Sequence, residues 1–179
     1  VDEVADPIEI FTVVSQLRKE KLDFCLISHS ADGAEDVRRV TTETVFGNAM
    51  YALRDCQCVL STTPANRVPP EARFDSFFVV GGSCPYHLMD DQAVTTLMNN
   101  ASVAAAVCHG PEALIGSKWL RPEDAGPNFT VYNGAWASFR DVLGRFERRG
   151  PGEVCADVGG HLFTGNTPVS TEAMTVLAC

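Results

Sequence analysis

Two short apolar runs in this chain end in residues that a tight turn demands. Ser76-Phe77-Phe78-Val79-Val80 stops at Gly81-Gly82, and Ser102–Val107 stops at Cys108. Between them, Asp91–Asn100 sets Ala93, Val94, Leu97 and Met98 on one side of a helix. Apolar runs of this length without polar alternation are strands buried on both faces. Strand, helix, strand at this spacing is a βαβ unit of a parallel sheet, so the chain must be an α/β protein.

The rest of the chain extends that unit. The segment Asp6–Lys19 predicts a helix with apolar residues at 8, 11, 14 and 17, an Asp cap, Pro7 in the first turn and Arg18 and Lys19 at its end. Leu22–Ser28 reads as a strand, Gly110–Gly116 as a helix directly behind Cys108, and Ala135–Arg148 as another helix. Val154–Val158 and His161–Thr164 flank Gly159-Gly160 and predict a hairpin, and a last helix begins near Ser170. Residues 29–75 show no clear pattern, and neither an internal repeat nor a low-complexity linker occurs. At 179 residues, one domain is expected.

A formal net charge of −9 repels phosphate backbones and anionic lipid, so neither nucleic acid nor a membrane surface is an expected partner. No apolar run approaches the ~20 residues a transmembrane helix needs. The seven cysteines, at 25, 56, 58, 84, 108, 155 and 179, are odd in number and several sit in strand-like runs. That usage suits reduced thiols in the cytoplasm. Cys56-x-Cys58 lacks further ligands at suitable spacing, so no metal is expected.

The chemistry concentrates at Ala104-Ala105-Ala106-Val107-Cys108-His109-Gly110-Pro111, where a buried strand turns into a helix within two residues. A side chain at such a corner projects from the sheet, and a thiol at a helix N-terminus is expected to ionise well below the free value of ~8.5. Cys108 is therefore the expected nucleophile, on a turn of the strained-elbow kind. His109, of a residue type that titrates near neutrality, is the candidate general base. Gly82, Ser83 and the N–H of His109 are candidates for a pocket that holds a substrate oxyanion. The other cysteines lack the corner and are read as core residues.

Three motifs in order, Gly81-Gly82-x-x-Pro85, Ala106–Pro111 and Thr164-Gly165-Asn166-Thr167-Pro168, resemble those of the ThiJ/PfpI superfamily, which includes the Parkinson-disease protein deglycase. The Cys-His pair is most similar to the PfpI intracellular protease branch and to the class III glyoxalase chaperones. The likeness spans roughly residues 75–175. It implies a flavodoxin-like, class I glutamine-amidotransferase-like three-layer sandwich with a mostly parallel central sheet. It implies a homo-oligomer and a thiol chemistry without cofactor. It also implies an acid beside the sulfur, for which Glu3, four residues before Pro7, is the candidate. A desolvated carboxyl there would stay protonated and hydrogen-bond the thiolate.

In two places the sequence departs from that pattern. Where the protease branch carries a glutamate that reaches the neighbouring subunit's histidine, this chain has Tyr86. Family members also begin with a strand ahead of the acid, and only Val1 and Asp2 precede Glu3, so that first strand is expected to be missing. The expected function is a Cys108-dependent enzyme acting on small reactive carbonyls, of glyoxalase or deglycase type. The alternatives are a PfpI-type cysteine peptidase and a non-enzymatic oxidative-stress sensor or chaperone that works through Cys108 oxidation.

Overall fold

The computed structural model describes residues 5–30, 38–42, 58–120, 128–135, 139 and 146–179. Two sheets organise them. In one, β1 (Ile27–Ser28) lies parallel to β3 (Cys58–Pro64), with β2 (Arg38–Thr42) antiparallel on the other side of β3. In the other, β4 (Phe74–Val79), β5 (Ala101–Val107) and β7 (Leu162–Gly165) are parallel neighbours, and β6 (Val154–Ala156) closes the edge antiparallel to β7. The expected α/β architecture with a mostly parallel sheet is present.

The βαβ unit forms as its periodicity requires. α3 (Gln92–Asn99) buries Val94, Leu97 and Met98 and returns the chain from β4 to β5. Asp91 caps it, accepting from the N–H of Ala93 and Val94. The same carboxylate accepts from the N–H of Ser30 at 2.5 Å and its hydroxyl at 2.9 Å, so one side chain ties the end of β1 to the start of α3. The β6–β7 hairpin turns at Gly160, whose φ of 68° is the left-handed conformation that glycine adopts without strain.

α1 (Pro7–Lys19) has its predicted Asp6 cap, Pro7 in the first turn and cations at the end. Its buried stripe differs from the predicted one. The helix buries Ile10, Val13 and Leu17 together with Glu9 and Gln16, while Phe11 is 42% exposed. Of the predicted stripe at 8, 11, 14 and 17, Leu17 is buried while Phe11 faces solvent, because the helix packs on α4 (Thr171–Ala178) and a cavity through the side that carries Ile10, Val13 and Leu17. That cavity, of about 660 Å³, lies between α1 and the edge of β4 and is lined by Ile10, Val13, Leu17, Phe24, Phe77 and Val79 among others. α4 also covers β5 and β7.

Three further expectations change. Strand geometry in Leu22–Ser28 is confined to Ile27–Ser28, with Leu22 and Phe24 exposed. The segment behind Cys108 is a 3-10 turn, Gly110–Leu114, ended by Ile115 in extended conformation, which pairs with Leu120. A helix over 135–148 does not reach its end: Phe146 forms a bridge with Phe129, and Glu147 donates its N–H to the Phe129 carbonyl. Residues 136–138 and 140–145 lie outside the described residues, as do residues 1–4, on which the missing-strand expectation falls. Among the described residues no helix is long and apolar enough to cross a membrane.

Burial acts to raise the pKa of Asp91, but the hydrogen bonds from Ser30, Val94 and Ala93 outweigh it and hold the carboxyl below its ordinary value. A carboxyl depressed in the fold stabilises above its unfolded pKa and loses that contribution as pH falls through the folded one. Asp91→Ala is therefore expected to lower stability by about 1–2 kcal/mol at pH 7 in urea unfolding. The deficit should shrink as pH is brought below 3.8.

Candidate functional site

Cys108 sits where β5 ends, with φ of 57°, a left-handed conformation that an L residue adopts at a cost of about 1–2 kcal/mol. The corner is held from both sides. Cys108 donates its N–H to the Gly165 carbonyl at the end of β7, and its carbonyl accepts from the N–H of Tyr132. Two glycines make room for it. A Cβ on Gly81 would stand 2.7 Å from the Cys108 Cβ and 3.0 Å from both the Glu9 Oε2 and the His109 nitrogen. A Cβ on Gly110 would stand 2.4 Å from the Val79 carbonyl oxygen, so the turn after Cys108 can lie against the end of β4 only as glycine.

The sulfur is nearly enclosed, since Cys108 is 7% exposed, and the backbone N–H groups of His109 and Gly82 both donate toward it. These are two of the groups expected to form an oxyanion pocket. Ser83, also expected there, stands one residue on at the N-cap of α2 (Cys84–Leu88), where its carbonyl accepts from the N–H of Tyr86.

The acid at the sulfur is Glu9. It is fully buried, its Oε2 accepts from the N–H of Gly81 at 2.5 Å, and its carboxyl is in hydrogen-bond contact with the Cys108 thiol. Glu9 Oε1 is buried with no hydrogen-bond partner among the described residues. The chain places Glu9 there because Asp6 caps α1, while a bridge from Ala5 to Gly82 and the Asp6 N–H on the Gly81 carbonyl pin the cap to the end of β4. The first turn of α1 therefore projects a carboxyl into the end of the sheet. Glu3, the acid expected in this role, lies outside the described residues. The sequence pattern hides Glu9 because it sets the helical stripe one position off, on Ile8 and Phe11; the signal is the Asp6-Pro7-x-Glu9 spacing itself.

Burial, first, and the nearby Asp6 carboxyl push Glu9 well above the ordinary carboxyl range, against the Gly81 N–H and the thiol, which pull it down. Burial, then the charge of Glu9, also push the Cys108 thiol up, against the N–H groups of His109 and Gly82. The expected depression by a helix dipole is thus not what this corner supplies: the turn behind Cys108 is a single 3-10 turn and the sulfur is desolvated. Burial is the leading cause of both shifts. Two ionisable groups buried in contact hold a single negative charge far more readily than two, so they titrate as a pair. With the proton kept on Glu9, its repulsion of the sulfur disappears and the carboxyl becomes a donor to the thiolate.

His109 is 8% exposed, with Nδ1 2.8 Å from the Oε2 of the fully buried Glu112. Its ring lies 4.9 Å from Tyr132 and 6.1 Å from Tyr86. Tyr86 is half exposed and its hydroxyl donates to Glu112; burial, the Glu112 charge and this hydrogen bond raise its pKa. Glu112 reads in the sequence only as part of a helix. Among the described residues no cluster of metal-ligating side chains occurs.

Fold and site together define a class: an α/β domain with a cysteine on a left-handed strand-to-turn corner and a buried carboxyl against its sulfur. No family model and no curated protein matches the chain. Solved structures do. Schizosaccharomyces pombe DJ-1 matches with a TM-score of 0.67 at 11% identity, covering 98% of this chain and 85% of that one. Oxidized Toxoplasma gondii DJ-1 matches with a TM-score of 0.68 at 15% identity, covering 98% and 84%. A cysteine-to-alanine mutant of the DJ-1 superfamily protein STM1931 from Salmonella typhimurium matches with a TM-score of 0.68 at 15% identity, covering 98% and 83%. The chain has the flavodoxin-like fold of the DJ-1/ThiJ/PfpI structures.

A carboxyl raised in the fold leaves the native protein holding a proton that the unfolded chain has lost. Stability therefore falls as pH rises from the ordinary value of 4.5 toward the raised one of Glu9. This group contributes a loss of at most about 1.4 kcal/mol per pH unit in that window. Glu9→Gln, which keeps an acceptor for Gly81, is expected to flatten that part of the stability curve in urea unfolding above pH 4.5. Parallel curves for the two proteins would show that the native Glu9–Cys108 pair holds one proton in that range, as the unfolded chain does.

Proposed function

We propose that this chain is a cysteine-dependent, cofactor-independent enzyme of the DJ-1/ThiJ/PfpI superfamily that acts on small reactive carbonyls. One observation carries the proposal: a buried carboxyl with a raised pKa touches a thiol on a left-handed corner, and two backbone N–H groups point at the same sulfur. That arrangement supplies a thiolate, a proton and donors for developing negative charge within one small enclosure.

The reaction balances without an external oxidant. The Cys108 thiolate adds to the aldehyde carbon of a 2-oxoaldehyde such as methylglyoxal, forming the C–S bond while the carbonyl π electrons pass to oxygen. That oxygen takes a proton, giving a hemithioacetal. A base, for which His109 is the candidate, removes the proton from the carbon bearing sulfur and returns it to the neighbouring carbon as the enediol rearranges to a 2-hydroxy thioester. Water then breaks the C–S bond, releasing a 2-hydroxy acid and the free thiol. The N–H groups of Gly82 and His109, which donate toward the sulfur, are the candidates to hold the oxygen on which charge develops. A homo-oligomeric state is proposed with it, on the resemblance alone.

Peptide hydrolysis is the second reading, favoured by the Cys108, His109 and Glu112 set, which supplies a thiol, an imidazole and a carboxylate within one turn. Tyr86 stands against it, since the protease branch is expected to carry a glutamate there. Cys108→Ala is expected to abolish methylglyoxal turnover, read as loss of the aldehyde and appearance of lactate. Retained turnover in that variant sinks the mechanism. Casein cleavage lost in Cys108→Ala, with no carbonyl turnover in the wild type, would install the peptidase. A mass gain of two oxygens on Cys108 in mild peroxide, with neither activity present, would install the sensor.

A further inference from the structure

The acid that the protease branch draws from a neighbouring subunit is absent at position 86, yet His109 is not left to orient itself. Glu112, three residues on in the same 3-10 turn, brings a fully buried carboxylate to 2.8 Å from its Nδ1. Three features fix that carboxylate. Glu112 donates its own N–H to the His109 carbonyl, closing the turn. Gly110 lets the turn lie flush against the end of β4. The Tyr86 hydroxyl, from α2, donates to the same carboxylate. The imidazole is in turn flanked by the rings of Tyr86 and Tyr132, so it is held in plane as well as in position.

A carboxylate is acceptor-only, so in the neutral imidazole the proton must sit on Nδ1, and Nε2 is the basic nitrogen. We propose that Glu112 is the positioning residue of this site, fixing the His109 tautomer within one chain, with Tyr86 as the second donor that holds Glu112 in place. The proposal rests on the carbonyl reading for its kinetic consequence but not for its structural one. Glu112 touches neither sulfur nor substrate; it acts through the histidine. Among the described residues, His109 of its own turn and Tyr86 of α2 face its carboxylate, and Tyr86 also explains why a residue other than glutamate is suited to position 86.

The test reads the histidine before it reads turnover. The 15N chemical shifts of the His109 ring in the wild-type protein, above the pH at which the ring is neutral, are expected to show a protonated Nδ1 and an unprotonated Nε2. The opposite tautomer overturns the proposal without any variant. Glu112→Gln, whose amide oxygen can still accept from Nδ1, is expected to keep the tautomer; Glu112→Ala is expected to mix or reverse it while the circular dichroism stays native. With methylglyoxal as substrate, Glu112→Ala should lower kcat by about tenfold or more with KM within about twofold, and Glu112→Gln should restore most of the loss. An unchanged tautomer and an unchanged kcat in folded Glu112→Ala reject the role. If the wild-type protein turns over no carbonyl at all, the proposed substrate class fails, and the ring shifts still decide the fate of Glu112.

Discussion

The site depends on burying a carboxyl and a thiol against each other at the end of a parallel sheet. Either group alone would be costly in so dry a place, because removing a charge from water is expensive unless something pairs with it. Together they need hold only one charge, and the N–H groups of Gly81, Gly82 and His109 converge on it. Glu9 and Cys108 are therefore one titrating unit, with the backbone supplying the donors.

Much of the fold around the pair serves that contact. β4 and β5 run in register so that their ends bring Gly81, Gly82 and Cys108 side by side. The Asp6 cap sets the first turn of α1 and with it the direction of Glu9. β7 anchors the strained corner through the Gly165 carbonyl. The left-handed Cys108 and the buried, unbonded Glu9 Oε1 both cost free energy, and the surrounding sheet over-determines them; strain of this kind gathers at functional sites.

The βαβ unit, the corner cysteine and the two N–H donors are legible in the sequence because each follows from local chemistry: apolar runs, a helical stripe, glycines at strand ends. Glu9 is not, because a carboxyl on the buried side of an amphipathic helix contradicts the pattern that locates helices, and the neighbouring apolar positions take the stripe instead. Glu112 is hidden differently. Its segment resembles a helix, but Gly110-Pro111 opens a 3-10 turn that Ile115 ends, and in that tighter turn residues three apart eclipse, setting Glu112 over His109. The raised thiol pKa is beyond reach of the sequence because it depends on burial and on Glu9, neither of which a turn motif reveals.

The measurement that bears most directly on the Glu9–Cys108 unit is the pH dependence of iodoacetamide alkylation at Cys108, in the wild type and in Glu9→Gln. If Glu9 keeps its proton and donates it to the thiolate, the weaker amide donor must raise the apparent thiol pKa, by about one unit. If Glu9 is instead a carboxylate repelling the sulfur, removing its charge must lower that pKa. An upward shift is the predicted result, and a downward one contradicts it.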